Sequence, residues 1–388
     1  MLWGGLALLI AGCQPDGRSI EQDGFPGPGH GGECPALGPE AVRIGTIDGP
    51  VVFTSVGGIT PVPGRDEVLV LDPSVGEVRR FARTGAPRGV LGRAGQGPGE
   101  FAPGPGLSMG LLGDSVWIQD PTLRRASIFS PDGTLLRTVT VPGGTEVEGT
   151  FVVSGAIPVT ADRLFAILGW DGSPVQVPVV VLDGRGENPR TLAWLEPDDS
   201  PRAMLEVPGR GAITTVPPIR FRFFVGITRD EPRLVLIEAS RGESTYRVRW
   251  LDPERGEERS RYEVSYAPVP VSVEERARQV SLVVEQLSRV AELSPRQVEE
   301  AFNFPGSYPP FDRVLPGPGN AVWAQRAGPP GRARWERLDQ EGPSGCAIEL
   351  HPEERLMFVD ADGVWLRRTG ELGVQSATFR PWSRVAED

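Results

Sequence analysis

A phrase of strand and turn signals occurs twice in this chain, 48 residues apart. Val68-Leu69-Val70-Leu71-Asp72-Pro73 leads from Asp72 to Phe81 in nine residues and to Gly85 in four more. Val116-Trp117-Ile118-Gln119-Asp120-Pro121 leads by the same counts through Phe129 to Gly133. Each copy reads as an apolar strand stopped by Asp-Pro, an alternating strand ending on an aromatic, and a glycine-containing hairpin turn. One such unit cannot bury its own sheet faces, so repetition implies sheets that stack on one another.

Looser copies extend the array. After units at about 59–106 and 107–155, strand runs recur at Arg163–Leu168 with Val177–Leu182 and Gly186, at Arg233–Ile237 with Tyr246–Leu251, at Ala321–Ala324, and from Cys346 to Arg380. Val42–Ile47 alternates but belongs to no unit, and a strand of that kind closes a ring by pairing with the last one. Ser272 to Asn303 breaks the pattern. Val273, Ala277, Val280, Val284, Leu287 and Ala291 recur at helical spacing, Ser272 with Glu275 reads as a capping box, and Ser294-Pro295-Arg296-Gln297 starts a second helix. The expected fold is all-β: a six-bladed β-propeller over 41–382, with a two-helix insertion (272–303) between blades 4 and 5 and a short tail at 383–388.

Composition removes several functions. Fifty Gly and forty Pro suit a fold made largely of turns, and 39% hydrophobic residues suffice for a core. The net charge is −11 and no basic block stands out, which argues against nucleic acid as a partner. There is no lysine, hence no Schiff-base lysine and no Gly-Lys-Ser/Thr phosphate loop. His30 sits in a Gly/Pro-rich stretch and His351 beside Pro352, a poor basis for histidine zinc sites or Ser-His-Asp machinery. Gly95 to Phe101 leads into Pro103-Gly104-Pro105 rather than a helix, so it predicts a crossover between blades and not an anion site. Asp360-Ala361-Asp362-Gly363 opens like a calcium loop, but Val364 to Arg367 supply no further ligands, so a hairpin turn is expected.

Leu2 to Ala11 is apolar but too short to span a bilayer. Its end, Leu9-Ile10-Ala11-Gly12-Cys13, resembles the lipobox of bacterial lipoproteins, although no Arg precedes the run. That resemblance implies a signal peptide at 1–12, a lipid on Cys13, and a membrane anchor, with Gln14 favouring the outer membrane. Residues 13–40 are polar and rich in Gly and Pro, and read as a flexible tether with a reach of about 30 Å. In an exported, oxidising compartment two further cysteines remain. Because a ring brings its ends together, a Cys34–Cys346 disulfide is expected, contributing at most about 5–6 kcal/mol by chain-entropy reasoning. Two unpaired cysteines are the alternative.

Three further pieces resemble the six-bladed propellers related to NHL repeats that occur as exported bacterial lipoproteins. Gly92-Arg93-Ala94-Gly95-Gln96-Gly97-Pro98-Gly99-Glu100-Phe101 is similar to their Gly-Pro-Gly-Glu-Phe loop, Phe129-Ser130-Pro131-Asp132-Gly133 to a blade turn, and Tyr308-Pro309-Pro310-Phe311 with Asn320-Ala321-Val322-Trp323 to a late blade. The resemblance implies the fold and little chemistry. The function expected is a non-catalytic, envelope-anchored, monomeric protein that binds a glycan, peptide or protein at its axial mouth, without a cofactor. Phe304, Tyr308 and Phe311 are candidate contacts, with core packing as the alternative. The competing reading is a metal-dependent lactonase of the gluconolactonase-like type. That group holds a divalent cation on the axis through Glu, Asn and Asp, for which Glu67, Asp114, Asn320 and Asp360 are candidates here. Asparagine is scarce, at 188, 303 and 320 alone. The peptide-amidating lyases on a related propeller rely on axial histidines, which this chain lacks.

Overall fold

The duplicated phrase is the second and third strands of two neighbouring sheets. The computed structural model describes residues 18–20, 35–141, 146–147, 150–151, 156–160, 163–167, 176–185, 187–196, 203–207, 211–215, 217–288, 291–370 and 372–383. Val68–Asp72 and Ser115–Asp120 run through the middle of their sheets and are almost wholly buried. The Asp that ends each is 1% exposed. The Asp72 carboxylate accepts from the backbone N–H of Thr54 (3.0 Å) and Ser74 (3.1 Å), and that of Asp120 from Ala102 (2.7 Å) and Leu123 (2.9 Å). Thr54 and Ala102 each lie 18 residues before their Asp, so the sequence repeat is a repeated latch that ties the segment entering each sheet.

Five blades are meanders of four consecutive antiparallel strands, beginning at Gly58–Pro61, Ser108–Leu112, Ala156–Thr160, Phe224–Ile227 and Phe311–Pro316. A further sheet is composite. Glu354–Val359, Gly363–Thr369 and Gln375–Ser383 are completed by Val42–Ile44 and Ala36–Leu37, both antiparallel to the last strand. The orphan strand thus closes the ring, with Val42 opposite Phe379 and Ile44 opposite Ala377. Six equivalent units were expected; the chain forms five continuous blades and this closing sheet.

Apolar faces of successive sheets pack together right round the molecule. Leu69, Leu71 and Phe101 meet Ile118 and Phe129; Ile128 meets Val180 and Leu182; Val179 meets Leu234 and Leu236. Trp250 and Tyr262 meet Phe311 and Val322, Trp335 meets Leu356 and Leu366, and Trp365 with Phe358 returns to Val68 and Phe81. The architecture is an all-β propeller carrying two helices.

Three sequence expectations change. Cys346 does not begin a unit: Gly342–Leu350 returns antiparallel along Ala333–Asp339 and is the outer strand of the fifth blade. A hairpin, Ala203–Val207 with Gly211–Thr215, stands outside the blades and had no counterpart in the pattern. The insertion follows Glu258–Ser265 and precedes Phe311–Pro316, with α1 at Val273–Leu287 and α2 at Pro295–Ala301. The capping box forms on α2, between Ser294 and Gln297. On α1 Ser272 caps the Glu275 N–H, but the Glu275 carboxylate turns to Arg278 (2.7 Å) and Gln279 (2.8 Å). The expected stripe holds at Val280, Val284, Leu287 and Ala291, which pack into the insertion core with Val283, while Val273 is 76% exposed and Glu275 is buried.

Arg18–Ile20 lies parallel to Tyr262–Val264 at the edge of the fourth blade. Cys13, Cys34, Gly186 and the proposed signal peptide lie outside the described residues. Among the described residues, no helix is long and apolar enough to cross a membrane.

Candidate functional site

The first strands of successive sheets neighbour one another around an axis with two unlike ends. Where first strands turn into second strands, Arg229 bridges three sheets. From the fourth blade it donates to the Gly317 carbonyl of the fifth (3.4 Å) and to the Val359 carbonyl of the closing sheet, its guanidinium 4.2 Å from the Phe358 ring centroid. Burial lowers its pKa to about 10. Asp230 and Asn320 stitch the same end: Asp230 accepts from the Gly319 N–H (2.7 Å) and the Asn320 side chain from the Glu231 N–H (2.6 Å).

At the opposite end, where first strands begin and the insertion lies, positive charge collects. Arg222, just ahead of Phe224–Ile227, donates to the Asp312 carbonyl and lies over the Phe224 ring. Arg313 sits on the first strand of the fifth blade, 5.7 Å from the Trp335 ring centroid, and its buried Nη1 has no hydrogen-bond partner. Arg355, on the first strand of the closing sheet, stands directly across from Arg367, whose buried Nε is also unpartnered. Burial, together with repulsion from Arg355, Arg367 and Arg222, lowers the Arg313 pKa to about 9. Arg355 is open to solvent, yet surrounding protein and the Arg367 charge still lower its pKa. Arg355 lies on the innermost strand of its sheet, at the end of the axis where first strands begin.

A β-bulge shapes this end. Phe311 pairs with Arg326 and Arg313 with Gln325, so Asp312 is the extra residue and alternation breaks there. The Asp312 carboxyl is pushed up to about 6 by burial, against the pull of Arg222 and Arg313. Arginines nearby are neutralised differently: Arg326 and Arg334 share Glu336 (2.8 and 3.1 Å), and Arg337 pairs with Asp339 (2.9 Å). Among the described residues, Arg313, Arg355 and Arg367 form no ion pair.

The insertion frames the same face. Its helices pack with Phe304 and Tyr308 against the hairpin residues Ala203, Leu205 and Val207. Arg241 ties the fourth blade to it through the Phe304 carbonyl (2.8 Å). Beside the mouth, between the fourth and fifth blades, a cleft of about 290 Å³ is lined by Tyr266, Val269, Pro309, Pro310, Arg326 and Cys346.

The aromatic candidates are core. Phe304, Tyr308 and Phe311 are 9%, 5% and 0% exposed. Phe311 meets Tyr246 edge-on at 4.9 Å, and Phe304 meets Phe302 at 5.6 Å. Burial and the adjacent Glu275 push the Tyr308 hydroxyl up to about 12. They were singled out because they follow the insertion; the next two residues, Asp312 and Arg313, are the ones at the mouth. The available signal was an Asp-Arg pair directly after that aromatic run.

The lactonase candidates do not converge. Glu67 is ion-paired to Arg80, Asp360 to Arg83 (2.7 Å), Asn320 is held by Glu231, and Asp114 lies in the turn after Ser108–Leu112. Among the described residues, no three His, Cys, Asp or Glu side chains come together. The glycine loop is a latch between the first two blades: the Gly97 N–H donates to the Glu100 carboxylate (2.9 Å), and Arg125 holds the Gln96, Gly97 and Glu100 carbonyls.

The architecture is similar to solved structures at low identity. A member of the DUF4221 family from Bacteroides vulgatus gives a TM-score of 0.52 at 10% identity, over 90% of this chain and 99% of that one. A Bacteroides fragilis protein described as exported gives 0.46 at 10%, over 88% and 94%. A gluconolactonase from Xanthomonas campestris gives 0.43 at 11%, over 88% and 99%. No protein-family model and no curated protein matches the sequence. At such identities the likeness is one of fold.

Proposed function

We propose that this protein is a non-catalytic binding propeller, held at the cell envelope by a lipid on Cys13, that takes a glycan, peptide or protein at the mouth on its insertion face. The observation that carries this reading is the asymmetry of the axis: at one end Arg229 is spent on carbonyls of two neighbouring sheets, while at the other Arg313 and Arg367 keep buried donors with no partner among the described residues. Binding sites of this kind present a few fixed polar groups on a rigid scaffold, here the first strands of adjacent sheets. The closing sheet then counts as a sixth blade, in the manner of the NHL-related lipoproteins. The Cys34–Cys346 pairing belongs to the same proposal. It is supported by Leu37, three residues past Cys34, packing on the same apolar cluster as Cys346.

The lactonase reading needs a cation site that Glu67, Asp114, Asn320 and Asp360 do not form together. Elemental analysis and lactone hydrolysis on the purified, unreduced protein separate the two. The expectation is no stoichiometric divalent ion, no turnover, and no thiol at Cys34 or Cys346 reactive before reduction. A bound ion with turnover replaces this reading by the hydrolase; two free thiols remove the cross-link.

A further inference from the structure

We infer that the mouth on the insertion face is a receptor site for oxyanions, and that its ligand carries more than one of them. This deepens the binding reading above and rests on it. Arg313, Arg355 and Arg367 form no ion pair among the described residues, and Asp312, next to Arg313 in the chain, is the carboxylate beside them. Three guanidinium charges beside one carboxylate leave about two positive charges uncompensated among the described residues, in a chain whose net charge is −11. Holding like charges side by side is unfavourable unless something answers them. Elsewhere the molecule answers such charges with Glu or Asp, as for Arg326, Arg334 and Arg337. Here it does not.

The geometry also selects the partner. Arg355 and Arg367 are cross-strand neighbours on the closing sheet, and Arg313 comes from the adjoining blade, so a ligand between them is approached from two sheets. The Nη1 of Arg313 and the Nε of Arg367 are buried donors without acceptors among the described residues. A guanidinium presents paired N–H groups in a fork that matches the two oxygens of a carboxylate, sulfate or phosphate. A neutral hydroxyl supplies neither the charge nor the second acceptor. The bulge at Asp312 sets Asp312 and Arg313 at the mouth together, and the carboxylate limits how much anion the site attracts.

Isothermal titration at low salt tests this with three probes: a galacturonate trisaccharide for carboxylates, inorganic pyrophosphate for phosphates, and maltotriose as a neutral trisaccharide. At least one of the anionic probes should bind, and maltotriose at least tenfold more weakly. R313Q and R355Q should each weaken that anion by tenfold or more, the loss of one charge-assisted contact. D312N should strengthen it several-fold, and R88Q, on the outer strand of the first blade, should leave it unchanged. The arginine variants should melt no lower than the parent, since each removes a repelled charge; this separates lost contact from lost fold. The more tightly held anion identifies the source, uronate or phosphate. Maltotriose binding as well as the anions, with the arginine variants silent, overturns the oxyanion inference and leaves the binding propeller standing. No binding by any probe, with lactone turnover present, overturns both.

Discussion

Phe311→Ala should lower the unfolding free energy by about 3–5 kcal/mol and the thermal midpoint by roughly 5–10 °C. Phe311 is 0% exposed and lies where the fourth and fifth blades meet. Its ring contacts the Tyr246 edge at 4.9 Å and lies under the Arg326 guanidinium at 4.9 Å. Truncation removes those contacts and opens a cavity between two sheets that cannot collapse without shifting a blade. Phe311→Leu, which keeps most of the volume, should lose much less. Differential scanning fluorimetry with denaturant titration measures both. A melting point that stays put would return Phe311 to the list of ligand contacts.

Asp120→Ala should cost about 2–4 kcal/mol, and Asp72→Ala a similar amount. Each carboxylate is buried and accepts two backbone N–H groups that have no other partner among the described hydrogen bonds, so truncation strands donors as well as removing charge-assisted bonds. Asn at either position keeps one acceptor oxygen and should recover about half of the loss. The near-equality of the two positions is the informative part, because it treats the 48-residue repeat as one physical device used twice. Chemical denaturation of the four variants gives the comparison; a large loss at one position and none at the other would reduce the repeat to a resemblance of letters.

Legibility in the sequence followed how local the determining physics is. The Asp-Pro stops, the hairpin glycines and the orphan strand at Val42–Ile44 act over a few residues, and the ring follows from them. Innermost strands were harder to read. Ser108–Leu112 carries Gly110, where a Cβ would approach the Trp117 ring to 2.6 Å, so a strand packed against a large neighbour looks weak in isolation. The hairpin at Ala203–Val207 is stabilised by Val280, Val283 and Val298 from α1 and α2, a contact with no trace in its own periodicity. On α1, apolar spacing alone favoured Val273 and Ala277, whereas Glu275 is buried because Arg278 and Gln279 answer its charge.

The mouth was hidden for a related reason. Arg222, Arg313, Arg355 and Arg367 are scattered over 146 residues of sequence (367 − 222 + 1), each beside ordinary strand residues. They become a site only when the fourth blade, the fifth blade and the closing sheet are placed side by side. The aromatic run after the insertion was conspicuous in sequence but supplies core instead.

All of this depends on the ring being closed by the chain's early strand. Amide hydrogen exchange on the intact protein tests that directly, through Ala41, whose N–H donates to the Phe379 carbonyl at 2.9 Å, and the Val42–Ile44 pairing with Ala377 to Phe379. The account predicts that amides at 41–44 are protected to within about tenfold of those at 377–379, both reporting one cooperative unit. Exchange at 41–44 at the rate of a free peptide, with 364–368 still protected, would mean that the sheet stands without its closing strand and that the ring is open.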